Sequence, residues 1–193
     1  MMKKILILAF AFSTLVYSQK AGDNVFSGIQ IHTIKLTFNQ PHYWDSLTYY
    51  YNLGNSQYIA AKAVIDSVSY DSIGVRFQGN SSYTHPNDKK PFKLALDEFL
   101  NLKWDGMKTI NLSNCWEDPT FIREKLHLDY LNWAGIPAPR GNYAQLYIND
   151  TLFAFYSLVE EVDKTFLTGR YGNKNGDFFK AVDGFDTSTY FSD

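Results

Sequence analysis

Short apolar-polar alternations run through most of the chain. Ile34, Leu36 and Phe38 close the stretch 29–38 as a strand with one buried face. Residues 43–52, with Trp44, Leu47 and Tyr51 at i, i+3 and i+7, read as a short helix or turn. Residues 58–65 and 67–70 form a hairpin closed near Asp66-Ser67, and Ile73 to Phe77 is a further strand. A polar turn at 79–82 and a loop to Lys90 follow. Phe92, Leu94 and Leu96 then alternate with Lys93 and Ala95, so Lys93 lies on the opposite sheet face from its apolar neighbours. Thr109 to Leu112 is another short strand. Asp118-Pro119 reads as a helix start, with the helix running to Ala134, Gly135 as its stop and Pro137 just beyond. Strands 143–148 and 152–159 flank the turn Asn149-Asp150-Thr151. A second helix is expected over 162–168 and a last strand over 178–182. The order predicts an α+β fold, a mostly antiparallel sheet with one main helix.

The first residues read differently. Lys3-Lys4, the apolar run Ile5 to Val16 and the exit Val16-Tyr17-Ser18 predict a secretory signal over residues 1–18, leaving 19–193 as the mature unit. The run is short for a membrane span, no Cys follows it for lipid attachment, and no later stretch is apolar enough to cross a bilayer. The expected location is secreted or cell-surface. Without Lys3 and Lys4 the chain has 16 basic and 20 acidic residues, a net of −4. That balance argues against nucleic acid as a partner. The single cysteine, Cys115, excludes an intrachain disulfide and is expected to be a small buried hydrophobe. The four histidines have no metal-ligand spacing, and no Gly-x-Ser-x-Gly elbow suggests a hydrolase.

On the predicted main helix Phe121, Leu128 and Leu131 form one apolar stripe, and Ile122, Leu126, Tyr130 and Trp133 a second. Glu124 falls within the first stripe, where a carboxylate needs a cation. Arg76 and Lys93 are the strand-borne candidates. Two readings stay open: a structural ion pair, or a phosphate site in which the helix Glu holds the strand Lys. The polar loop Gly79-Asn80-Ser81-Ser82 ahead of Lys93 favours the second. Strand, polar loop, strand Lys and helix Glu is the order of a kinase nucleotide lobe.

Seven motifs in order carry a resemblance. They are Val75-Arg76-Phe77-Gln78-Gly79-Asn80-Ser81-Ser82, Lys89-Lys90-Pro91-Phe92-Lys93-Leu94, Gly106 to Leu112, Asp118 to Leu126, Gly135-Ile136-Pro137-Ala138-Pro139, Tyr147-Ile148-Asn149-Asp150 and Tyr156 to Asp163. Together they resemble the CotH kinase family, secreted kinase-like proteins of the spore coat protein H type, from about Ile29 to Lys180. The resemblance implies an atypical protein-kinase fold, here its N-terminal lobe and hinge. It implies ATP with Mg²⁺ or Mn²⁺, and a secreted protein with Ser or Thr acceptors as partner. Gly79, Asn80, Ser81 and Ser82 would be the phosphate loop, with Lys93 on the phosphates and Glu124 paired to it. Val159 and Glu160 would be the adenine-facing hinge, and Arg76 a second cation.

No HRD-like or DFG-like run surrounds Asp177, Asp183 or Asp186, so no catalytic or metal-binding residue is assigned. The expectation is an N-terminal fragment, inactive alone. The competing expectation is a non-catalytic surface or carbohydrate-binding module that stacks sugars on Trp44, Tyr49-Tyr50-Tyr51, Trp104 and Trp116.

Overall fold

A computed structural model describes residues 19–176 and 178–179. The expected signal at 1–18 and Lys180 to Val182 of the expected last strand lie outside the described residues.

Among the described residues seven strands form the core: β1 (Ile31–Thr37), β2 (Ile59–Ile65), β3 (Val68–Phe77), β4 (Phe92–Ala95), β5 (Thr109–Ser113), β6 (Gly141–Ile148) and β7 (Thr151–Glu160). Their order β1-β2-β3-β4-β5-β7-β6 closes into a barrel. Six pairings are antiparallel. The closing one, β1 with β6, is parallel, with Ile34 opposite Leu146. The sheet is therefore mostly antiparallel, as expected, with one parallel seam. Closure removes the unpaired edges an open sheet would present.

Two hairpins turn as their sequences suggest. Asp66 and Ser67 have φ of 46° and 73°, and Asn149 and Asp150 have 48° and 64°. Positive φ at both central residues is the tight turn whose twist suits a hairpin. Inward residues are the apolar half of each alternation: Ile34, Leu36, Ile73, Val75, Phe92, Leu94, Ile110, Leu112, Ala144, Leu146, Tyr156 and Leu158 are all fully buried. Each large one contributes roughly 1.5–3 kcal/mol by leaving water. Helix α1 (Tyr43–Asn52) adds Leu47 and Trp44, the latter with its ring 4.9 Å from Phe77.

A short α2 (Ser81–Thr84) follows β3, and α3 (Arg123–Trp133) precedes β6. Helix α4 (Lys164–Tyr171) follows β7 and is capped by Asp163, which accepts from Thr165 N and Phe166 N. Helices α1, α3 and α4 stand where a short helix or turn, the main helix and a second helix were expected, and at 10, 11 and 8 residues none of them dominates. Helix α3 also starts four residues later than Pro119, because Phe121 adopts φ +59°. Asp118 still serves its start, accepting from Arg123 N at 2.9 Å. The helix packs where Gly141 leaves room, with Leu128 Cδ1 3.4 Å from the Cβ that glycine lacks. Lys125 is buried there and donates to the Gly141 carbonyl at 3.0 Å. The stripe Ile122, Leu126, Tyr130 and Trp133 faces outward, with Trp133 82% exposed.

Candidate functional site

Because Phe92 and Leu94 point into the barrel, Lys93 stands on its outer face. Register places Arg76, Lys93, Asn111 and Val159 side by side across β3, β4, β5 and β7. Glu161, two residues beyond Val159, leaves β7 toward the same side. Its Oε2 accepts from Lys93 Nζ at 2.9 Å and from Asn111 Nδ2 at 2.8 Å. The Lys93 and Glu161 side chains are 16% and 10% exposed. The carboxylate paired with Lys93 is therefore Glu161, not Glu124. The reason is topological: β7 lies beside β5, next to β4, whereas the Glu124 helix packs against β6.

Arg76 flanks this pair with its guanidinium 5.3 Å above the Tyr58 ring and one nitrogen donating to the Phe77 carbonyl. Arg76 Nε and Asn111 Oδ1 are buried and have no hydrogen-bond partner among the described residues. Buried polar atoms are nearly always satisfied. Both atoms are covered by protein, and what this face presents outward is the partly exposed Lys93 side chain.

The other expected residues divide into two groups. Ser82 and Glu124 line one cavity of about 320 Å³ with Ser113, Asn114, Cys115 and Asp118. Gly79 has φ +86°, and a Cβ there would sit 2.3 Å from Ser82 Oγ. The loop is fastened: Tyr51 Oη donates to the Gly79 carbonyl at 2.6 Å, Asn80 O accepts from Tyr83 N and Thr84 N, and Ser81 O accepts from Thr84 Oγ1. Asn114 Nδ2 donates to the Ser82 carbonyl at 2.9 Å. Gly79→Ala is expected to cost about 1–3 kcal/mol, from left-handed strain and overlap with Ser82. Urea unfolding of the variant measures it, and an unchanged midpoint would contradict the loop geometry.

Val159 is flanked by Asn111 of β5 and Gly141 of β6, and Glu160 N donates to the Arg140 carbonyl at 2.9 Å. The Glu160 carboxylate accepts from Arg140 Nε at 3.0 Å, from the terminal Arg140 nitrogen at 2.6 Å and from Arg170 at 3.1 Å. Asp23 holds the far side of Arg140 at 2.8 Å. The Glu160 side chain thus serves a buried ion network.

Cys115 is half-buried rather than buried, and borders both the Ser82 cavity and a neighbouring one of about 360 Å³ that includes Lys89 and His85. Burial pushes its thiol up to about 11, and burial likewise lowers the Lys89 ammonium. At pH 8 such a thiol is roughly a thousandth ionised, against about a quarter for an ordinary one. Iodoacetamide labelling at pH 8 should be roughly a hundredfold slower in the folded protein than in denaturant. Equal rates would contradict this burial.

Two of the sugar-stacking candidates are taken up by the core, while Tyr49 and Trp116 are exposed. Trp104 is 7% exposed, and Trp44 packs against the barrel core. Among the described residues no three His, Cys, Asp or Glu side chains are placed to hold a metal ion. Asp177, Asp183 and Asp186 lie outside the described residues. Sequence reasoning missed Glu161, Asn111 and the Arg140–Glu160–Arg170 network. Alternation from Val159 does put Glu161 on the Lys93 face, but only the β5–β7 register brings them together.

The profile of a family described as CotH kinase protein matches residues 75–192. Over 111 residues the chain is 27% identical to the inner spore coat protein H of Bacillus subtilis (strain 168). That stretch is 58% of this chain and 29% of the relative, so the chain matches under a third of that protein's length. The family match runs from the end of β3 past α4 and takes in Lys93, Asn111 and Glu161 alike, and by it the chain belongs to the CotH kinase protein family.

Proposed function

We propose that this barrel is the nucleotide-holding lobe of an exported protein kinase, and that the intact protein transfers a phosphoryl group from ATP to Ser or Thr hydroxyls of an exported protein. The observation that carries the reading is the outer-face row: Lys93 held by Glu161, which Asn111 fixes in turn, with Arg76 opposite Lys93 on the neighbouring strand. Phosphoryl transfer depends on positioning and on neutralising phosphate charge rather than on covalent chemistry by the protein. A half-buried ammonium in fixed geometry supplies such charge. The bound nucleotide would supply the transferable phosphoryl group. Lys93 and Arg76 would bind and orient its phosphates, and Glu161 and Asn111 would keep Lys93 from swinging into solvent. The described residues fit the phosphates but offer no cluster for a metal ion, so no step is assigned through one. An exported location accords with the basic-apolar start of the chain and with the coat location in the relative's name.

Binding of ATP at about 100 times its Kd stabilises a folded protein by about 2.7 kcal/mol. In a domain of this size that raises Tm by roughly 5–10 °C. The intact protein should show that rise, and Lys93→Ala should lose most of it. An equal rise in the variant would remove Lys93 from the phosphate role.

A further inference from the structure

The chain carries slightly more acidic than basic residues, yet its cations are not evenly spread. Six of the 18 Lys and Arg residues line one groove of about 920 Å³ beside α4: Lys20, Lys103, Lys108, Lys164, Arg170 and Lys174. Two are neutralised, Lys108 by Asp97 at 2.6 Å and Arg170 by Glu160 at 3.1 Å. The other four, Lys20, Lys103, Lys164 and Lys174, are exposed and have no carboxylate within 4 Å among the described residues. Among the described residues the one acidic side chain on the groove wall, Asp163, is engaged in capping α4. Four unpaired ammonium groups around one concavity repel one another unless an anion lies between them.

We propose that this groove docks an acidic, extended segment of a protein partner, its carboxylates or phosphoserines spaced along the lysines. The volume, near the top of the range for small-molecule pockets, suits a short stretch of chain better than a single ion. The cations are mostly lysines, flexible point charges that follow distributed anions rather than gripping one in a fixed fork. Among the described residues no aromatic side chain lines the groove, so these offer none of the stacking platforms with which proteins hold single-stranded nucleic acid. This proposal does not rest on the nucleotide reading, because none of its lysines belongs to the Lys93 row.

The test is fluorescence anisotropy of the intact protein with a labelled peptide of alternating Glu and Ser, its phosphoserine form and a Gln-Ser control. The acidic peptides should bind, the neutral one should not, and affinity should fall steeply with salt. Lys103→Glu with Lys164→Glu should weaken binding at least tenfold. The charge-matched pair Lys35→Glu with Lys62→Glu, exposed on β1 and β2, should change it less than twofold. Tighter binding of the phosphoserine form names phosphate as the source of the anions, and equal binding names carboxylate. Absence of binding, equal loss in both double variants, or tighter binding of an oligonucleotide with the same lysine dependence would overturn the proposal. Displacement of the peptide by ATP would assign the groove to nucleotide phosphates and overturn it too, whereas loss of the ATP response in Lys93→Ala alone would leave it standing.

Discussion

Glu160→Ala is expected to destabilise the protein by about 3–5 kcal/mol, because it strands two guanidinium groups that the fold has taken out of water. Glu160 is 7% exposed at its side chain, with Arg140 at 17% and Arg170 at 14%. Its two oxygens receive both arginines, and Arg140 in turn ties the segment before β1 through Asp23 and the Ala21 carbonyl. One carboxylate therefore joins β7, α4, the residue before β6 and the start of the described chain. Denaturant unfolding of the variant measures the loss. A loss below about 1 kcal/mol would mean the network is solvated like a surface pair.

The second large effect is expected at Phe92. Its side chain is fully buried, with ring centroids 5.0 Å from Phe77 and 6.0 Å from Tyr156. Phe92→Ala removes a ring from the barrel interior and should cost about 3–5 kcal/mol, transfer and cavity together. Leu126→Ala makes the comparison informative. Leu126 lies on an apolar helical stripe but is 64% exposed, so its loss should fall within about 0.5 kcal/mol of zero. Similar costs for the two variants would mean that the wrong face of α3 has been identified as buried.

These contrasts show what could be read from residue order and what could not. Phe92-Lys93-Leu94 states its own inside and outside, because a strand alternates and only one face suits a lysine. Asp66-Ser67 and Asn149-Asp150 announce their hairpins, since Asn and Asp tolerate the left-handed backbone such turns need. The β1–β6 seam was not legible: Ile34 and Leu146 lie far apart in the chain, and no local pattern names a strand's partner. Either apolar stripe of α3 could be the packed one as far as the sequence goes. The packed one is decided by Gly141, whose missing side chain admits Leu128 and Lys125. The Lys93 partner went astray for the same kind of reason. Glu124 sits on an apolar stripe that invited a cation, while Glu161 sits in an acidic pair at a strand end whose register no local spacing reveals. Lys93 and Arg76 were legible as outward cations, but the Glu161–Asn111 support behind Lys93 stands out only once the β5–β7 register is known.

The central claim is that nucleotide phosphates lie against Lys93. The most direct measurement is labelling of the intact protein with an acyl-phosphate derivative of ATP, which transfers its acyl group to a lysine amine beside the terminal phosphate, followed by peptide mass spectrometry. The account predicts acylation of Lys93 that unlabelled ATP suppresses. ATP-protected label confined to other lysines, Lys103 and Lys164 among them, with Lys93 unmodified, would contradict it.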